Sequence, residues 1–307
     1  MILLTGASGY IGNHLNNYVD SNGISIPFRH VTRAPKTLTT NTFAISQLDG
    51  VTNWNGAFYN VECVIHLAAL AHVKKASISS YQKINTNGTL HLANEAAKAG
   101  VKRFVFVSTI GVNGLNTKQS PFSNTSIPNP HNSYARSKYE AEVGLKKIAQ
   151  ETGLEIVIVR PTLVYGPNAP GNFGTLTRLV NKLPLLPFGL TDNKRDFIAV
   201  QNLADLLITC ATHSNAPGHT FLASDMETVS IKQFTNAIAD GLGKKVFQLP
   251  IPVSLMRLAG RLMGKSAMIE QLVGNLQVDS SNIKQVLGWT PPLTMEQAML
   301  SLRYSGK

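Results

Sequence analysis

The chain opens with ILLTGASGYIG, in which Gly6, Gly9 and Gly12 fall where a short apolar strand would end and a helix begin. Glycine permits a sharp turn and a close backbone approach, while the first N–H groups of the following helix are unpaired and carry the positive end of its dipole. A strand, this turn and a helix make half of a crossover unit, so the next strand should run parallel to the first. The rest of the first half keeps that rhythm. Strand-like ISIPFRHVT, VECVIHLAA, VKRFVFVST and LEIVIVRP alternate with helical stretches from about Tyr10, through YQKINTNGTLHLANEAAKAG, and from Ser133. This alternation predicts an α/β fold, a doubly wound parallel sheet with helices on both faces.

Beyond Pro161 the texture changes. YGPNAPGNFG and NKLPLLPFGL are dense in proline and glycine and read as loops and short elements. Later helices are expected near 202–213, 230–241, 253–263 and 294–302, with HTFLAS as one more strand. The expected organisation is a dinucleotide-binding unit over 1–165, joined again by 195–224, and a smaller, mostly helical substrate lobe over 166–194 and 225–307. With 307 residues and 43% hydrophobic content, a sizeable core is available.

No apolar run approaches the roughly 20 residues of a membrane span, and the first residues lack the basic n-region of a secretory signal. Cys63 and Cys210 stand alone in apolar stretches, which suits buried thiols in a reducing cytoplasm and gives no metal-ligand spacing. The formal charge of +11 favours anionic partners. Its cations are scattered, which argues against a nucleic-acid arm. Arg257, Arg261 and Lys265 recur at i, i+4 and i+8 and read as a solvated face, with a membrane surface or an anionic substrate as the alternative.

The placement of the glycines between strand and helix points to a cradle for a dinucleotide pyrophosphate. About twenty residues further on, an acidic side chain would accept the ribose hydroxyl of NAD, and an arginine would suit the extra phosphate of NADP. Here FRHVTRAPK offers Arg29, His30 and Arg33 and no acid, which favours NADP over NAD with Arg33 as the phosphate partner.

In HNSYARSKYE, Tyr134 and Lys138 share a helix face at i and i+4. A phenol titrates near 10, and an adjacent ammonium would draw it towards neutrality for acid-base work. Ser108 and Thr109 end a buried strand, where ligands of open parallel sheets bind. Together the glycine pattern, HLAA at 66–69, VSTIGVNG, NSYARSK, RPTLVYGP at 160–167 and RDFIAVQNLAD at 195–205 resemble the extended short-chain dehydrogenase/reductase superfamily, in its sugar-nucleotide epimerase/dehydratase branch.

That resemblance implies that Thr109, Tyr134 and Lys138 are catalytic, with Tyr134 as acid/base and Lys138 on the nicotinamide ribose. It implies cofactor contacts from Tyr10, Ile11, Leu67, Ala68, Ala69, Asn85, Ser108 and Pro161 besides the glycines, and substrate contacts from Thr109, Asn172 and Arg195. It also implies a homodimer through paired helices, one of them carrying Tyr134. His66 reads as a packed core histidine, and His14, Glu140 and Glu142 as helix-surface residues. Ile110 and Gly111 stand where dehydratases carry an Asp-Glu pair, which disfavours dehydration. Asn113 and Leu163 replace a tyrosine and an asparagine usual in the family, changing the expected sugar pocket, and Gln47 replaces an adenine-contacting aspartate.

The expected activity is an NAD(P)-dependent 4-epimerase of a UDP-hexose or UDP-N-acetylhexosamine, acting through a 4-keto sugar in polysaccharide biosynthesis. An NADPH-dependent reductase of a UDP-4-keto-6-deoxy-hexosamine is the alternative, and a non-catalytic dinucleotide- or RNA-binding relative is a second one.

Overall fold

The computed structural model describes residues 1–33, 41–71 and 76–304. Its strands are β1 (Ile2–Thr5), β2 (Phe28–Thr32), β3 (Thr42–Ala44), β4 (Cys63–His66), β5 (Arg103–Val107), β6 (Glu155–Pro161), β7 (Leu163–Tyr165), β8 (Leu185–Leu186), β9 (Arg195–Ala199), β10 (Thr220–Ala223), β11 (Thr228–Val229) and β12 (Phe247–Gln248). The α-helices are α1 (Tyr10–Ser21), α2 (Ile78–Tyr81), α3 (Thr89–Lys98), α4 (Ser133–Thr152), α5 (Gly171–Lys182), α6 (Val200–Thr212), α7 (Ile231–Gly241), α8 (Val253–Leu262), α9 (Ser266–Val273), α10 (Ser281–Leu287) and α11 (Met295–Leu300).

Seven strands form a parallel sheet in the order β3-β2-β1-β4-β5-β6-β10. The order reverses between β1 and β4, which opens a crevice at their carboxyl ends. Alternate residues of each strand serve opposite faces. Leu4, Ile65, Val105 and Val157 meet Leu15, Leu203 and Leu207 of α1 and α6. Leu3, Val64, Phe104 and Ile156 meet Leu92, Ala96 and Leu145 of α3 and α4. Both faces are therefore dry, as the unbroken apolar runs required.

A second core gathers Tyr165, Phe173, Phe197 and Phe234 beneath a small sheet ordered β11-β9-β7. Residues 195–224 divide between the two cores: β9 lies in the small sheet, whereas α6 packs on α1 and β10 edges the large sheet beside β6. Helix α5 arises inside the stretch read as loop. Its Phe173, Leu176 and Val180 are buried at i, i+3 and i+7, a period that the surrounding glycines and prolines hid. Among the described residues no helix is long and apolar enough to cross a membrane.

Candidate active site

The glycine turn joins β1 to α1 at the crevice. Gly6 has φ +75, and a Cβ there would come within 2.8 Å of Ala68 N, so the turn lies directly against the loop leaving β4. A Cβ on Gly12 would sit 2.3 Å from Gly6 O, which forces glycine where helix and turn touch. Gly9, Tyr10 and Ile11 complete the turn and begin the helix.

The loop after β4 is held from below. Asn85 lies in a π-helical turn spanning Gln82–Gly88 and is fully buried. Its Oδ1 accepts from Leu70 N at 2.7 Å, while its Nδ2 donates to Leu70 O and to Ser137 Oγ. One side chain thus ties Leu70, at the end of the loop carrying Leu67, Ala68 and Ala69, to Ser137 of α4. His66 is a core residue, between the hydroxyls of Thr5 and Thr89.

Ser108 and Thr109 follow β5, and Pro161 ends β6. Thr109 caps a short 3-10 turn, its Oγ1 accepting from Gly111 N at 3.1 Å. A Cβ on Gly111 would lie 3.4 Å from both Thr109 Oγ1 and Ala135 Cβ, which places Thr109 against the first turn of α4. Asn132 caps that helix, its side chain accepting from Ala135 N, so the position of Tyr134 is set by the cap. Tyr81, which no sequence motif marks, packs edge-on against the Tyr134 ring at 6.3 Å.

Lys138 is 1% exposed and sets its ammonium 4.0 Å from the Phe106 ring centroid. Burial pushes its pKa down to about 7. Burial likewise pushes the Tyr134 phenol up to about 12, with Tyr81 adding to the rise. Burial thus moves the two groups the opposite way from the expected acidification of the phenol, since it disfavours the charged form of each.

The third residue on this face corrects the sequence reading. Glu142, four positions beyond Lys138, is 1% exposed and is not a surface residue. It accepts Arg160 Nε at 3.0 Å and Nη2 at 2.5 Å, and Arg160 Nη1 donates to Asn113 Oδ1. Asn113 is thereby buried in a structural network. His14 also departs from its expected exposure, being half-buried between Pro167 O and the Tyr10 ring.

Asn172 and Arg195 meet one segment from two sides. Asn172 donates to Gln271 at 3.1 Å, and the buried Arg195 donates through Nη1 to Gly274 O at 2.8 Å. The following residues pair with the chain beyond Thr109, through Thr117 N to Asn275 O and Phe122 N to Gln277 O. Among the described residues neither Asn172 nor Arg195 hydrogen-bonds to Tyr134 or Lys138, and the shared segment ties their walls together. Burial lowers the Arg195 guanidinium to about 10. Arg33 is exposed just beyond β2, beside the glycine turn's strand. Arg29 turns inward to the carbonyls of Gly56 and Ala57, and so leaves the group of cations available at this edge.

Residues 2–223 match the model of the NAD dependent epimerase/dehydratase family. The chain belongs to this family. It is 39% identical to a UDP-glucose 4-epimerase of Vibrio cholerae over 96% of its own length and 92% of that protein. A solved UDP-glucose 4-epimerase of Thermotoga maritima superposes with TM-score 0.75 at 23% identity, covering 99% of this chain and 97% of that one. The Pseudomonas aeruginosa protein RMD, solved with NADPH, gives TM-score 0.74 at 21% identity, with 99% and 98% covered.

The family's NAD(P) fits the residues in place. The cradle at Gly6 and Gly12 leaves no room for side chains, and the buried Ser108 Oγ has no hydrogen-bond partner among the described residues. A hydroxyl in that state calls for a polar neighbour. Lys138 also has a carboxylate nearby that Arg160 already engages, so its ammonium remains available to a ligand oxygen.

Proposed function

We propose that the chain is an NAD(P)-dependent 4-epimerase of a UDP-linked hexose or N-acetylhexosamine. The observation carrying this reading is the half-buried Tyr134 one turn from the buried Lys138, on a helix whose first turn packs at the Thr109 turn, in a chain 39% identical to a UDP-glucose 4-epimerase over 96% of its length. The bound dinucleotide would accept a hydride from C4 and return it, and its oxidised ring would add positive charge over the site. Tyr134 takes the proton of the 4-hydroxyl as the alcohol is oxidised and gives it back on reduction. Thr109 holds the C4 oxygen by a hydrogen bond, Ser108 lines the cofactor side, and Lys138 holds ribose oxygens and favours the phenolate. Asn172 and Arg195 take the diphosphate, for which the guanidinium fork is suited. Ile110 and Gly111 leave no acid or base for dehydration. The same reading pairs two copies through the outer face of α4, where Val143 is half exposed.

Incubating the purified protein with UDP-glucose or UDP-N-acetylglucosamine is expected to yield the C4-inverted sugar without added cofactor. Stoichiometric consumption of NADPH on a UDP-4-keto sugar, with no inversion of either substrate, would instead establish the reductase. That second reading draws on Arg33 and the absence of an acid over 28–33. We assign Arg33 to the 2′-phosphate of NADP. Arg33→Ala is expected to weaken NADP⁺ binding to cofactor-stripped protein roughly tenfold or more, as loss of a charge-assisted bond should, while leaving NAD⁺ binding unchanged. Equal effects on both dinucleotides would remove the assignment.

A further inference from the structure

Between Asp240 and Glu270 the chain holds no acidic residue but five basic ones: Lys244, Lys245, Arg257, Arg261 and Lys265. The same stretch exposes Phe247, Leu255, Leu258, Leu262 and Met263, with Leu262 82% and Phe247 67% exposed. Helix α8 accounts for most of this. It buries Met256 and Gly260, and Gly260 packs so closely on α9 that a Cβ would lie 2.7 Å from Ile269 Cγ1. The helix is therefore held firmly by one narrow strip, and the rest of its circumference faces outward.

The outward part is divided. Leu255, Leu258 and Leu262 fall at i, i+3 and i+7 on one side, Arg257 and Arg261 at i and i+4 run beside them, and Lys265 follows just beyond the helix, past the turn at Gly264. Among the described residues Arg257 alone of these is neutralised, by Glu270 at 2.7 Å. Elsewhere in the same basic stretch, β12 pairs with β8 and sets the exposed Phe247 next to the exposed Leu185.

We propose that this α8-centred face docks on an anionic lipid surface. Apolar side chains beside unpaired cations are what the headgroup and acyl boundary of such a bilayer accept, the first inserting and the second meeting lipid phosphates. Two other occupants fit less well. An isologous contact with a second copy would set each cation stripe against its equivalent with no acid to answer it. A nucleic-acid backbone would meet the cations but leave the leucines against charged phosphate. Docking here does not depend on the reaction assigned above. Because α9 carries Gln271, the partner of Asn172, it would bring the mouth of the proposed diphosphate site close to the membrane.

The test is flotation of the full chain with vesicles of phosphatidylcholine alone or mixed with phosphatidylglycerol. Binding is expected only to the mixed vesicles and is expected to weaken with salt. The variants Leu258→Glu/Leu262→Glu and Arg261→Glu/Lys265→Glu are each expected to lower it about tenfold or more. Their helical circular dichroism and turnover of soluble UDP-sugar should be unchanged, since all four side chains are exposed. The proposal is overturned if the wild type stays with the lipid-free fraction, if both variants float like wild type, or if the leucine variant converts a wild-type dimer to monomer.

Discussion

Tyr134→Phe is expected to lower kcat for C4 inversion by about 10²- to 10⁴-fold, the range attributable to a positioned acid-base group, while dinucleotide binding stays as in wild type. The substitution deletes one oxygen and keeps the ring that packs on Tyr81. Any loss therefore reports proton transfer and not a collapsed pocket. The pH dependence sharpens the expectation. With burial holding the phenol near 12 in the free chain, the protonated form dominates at neutral pH, and alcohol oxidation has to wait for the phenolate. The wild-type rate should rise towards alkaline pH, and the residual rate of the phenylalanine variant should lack that rise. A variant that inverts UDP-sugars at close to the wild-type rate would remove Tyr134 from the chemistry, whatever its position.

The same residues mark how far the sequence could be read. The parallel sheet followed from uninterrupted apolar runs alternating with helical periods, and the glycine turn fixed the crevice to their carboxyl ends. Those are local signals, carried within a few residues. Contacts across the sheet leave no such trace. Asn85 looks like any polar helix residue until a π turn aims it at Leu70, and Arg29 resembles a loop cation until its strand register turns it inward. Asn85 was selected through the family resemblance alone, and Glu142 was read as a helix-surface residue. Glu142 continues the i, i+4 series of Tyr134 and Lys138, so it shares the face turned to the crevice and the buried Arg160. Helix α5 failed for a different reason: glycine and proline at its start outweighed an apolar period that only burial against Phe234 reveals.

Arg160→Met is expected to be the most destabilising single change near the site, at about 3–5 kcal/mol, because it leaves the Glu142 carboxylate buried and unpaired. Thermal unfolding should shift down by roughly 5–8 °C at this chain length. Replacing both partners, Arg160→Met with Glu142→Leu, should recover most of that loss, since the desolvation of two ions disappears together with their attraction. The pair also governs its neighbour. Burial holds the folded pKa of Lys138 at about 7 against an ordinary lysine value of 10.5, so the unfolded chain binds the extra proton between those values and stability rises with pH across that window. Below pH 7 both states are protonated, and the full cost of burying the ammonium is felt. In Arg160→Met the freed carboxylate would face Lys138 one turn away, raise its pKa and flatten the alkaline gain. In the double variant no carboxylate remains at 142, and the gain should return at least to its original size. Unfolding curves for the three proteins at pH 7 and pH 9.5 distinguish this from simple loss of packing, which would displace all curves equally and leave their pH dependence untouched.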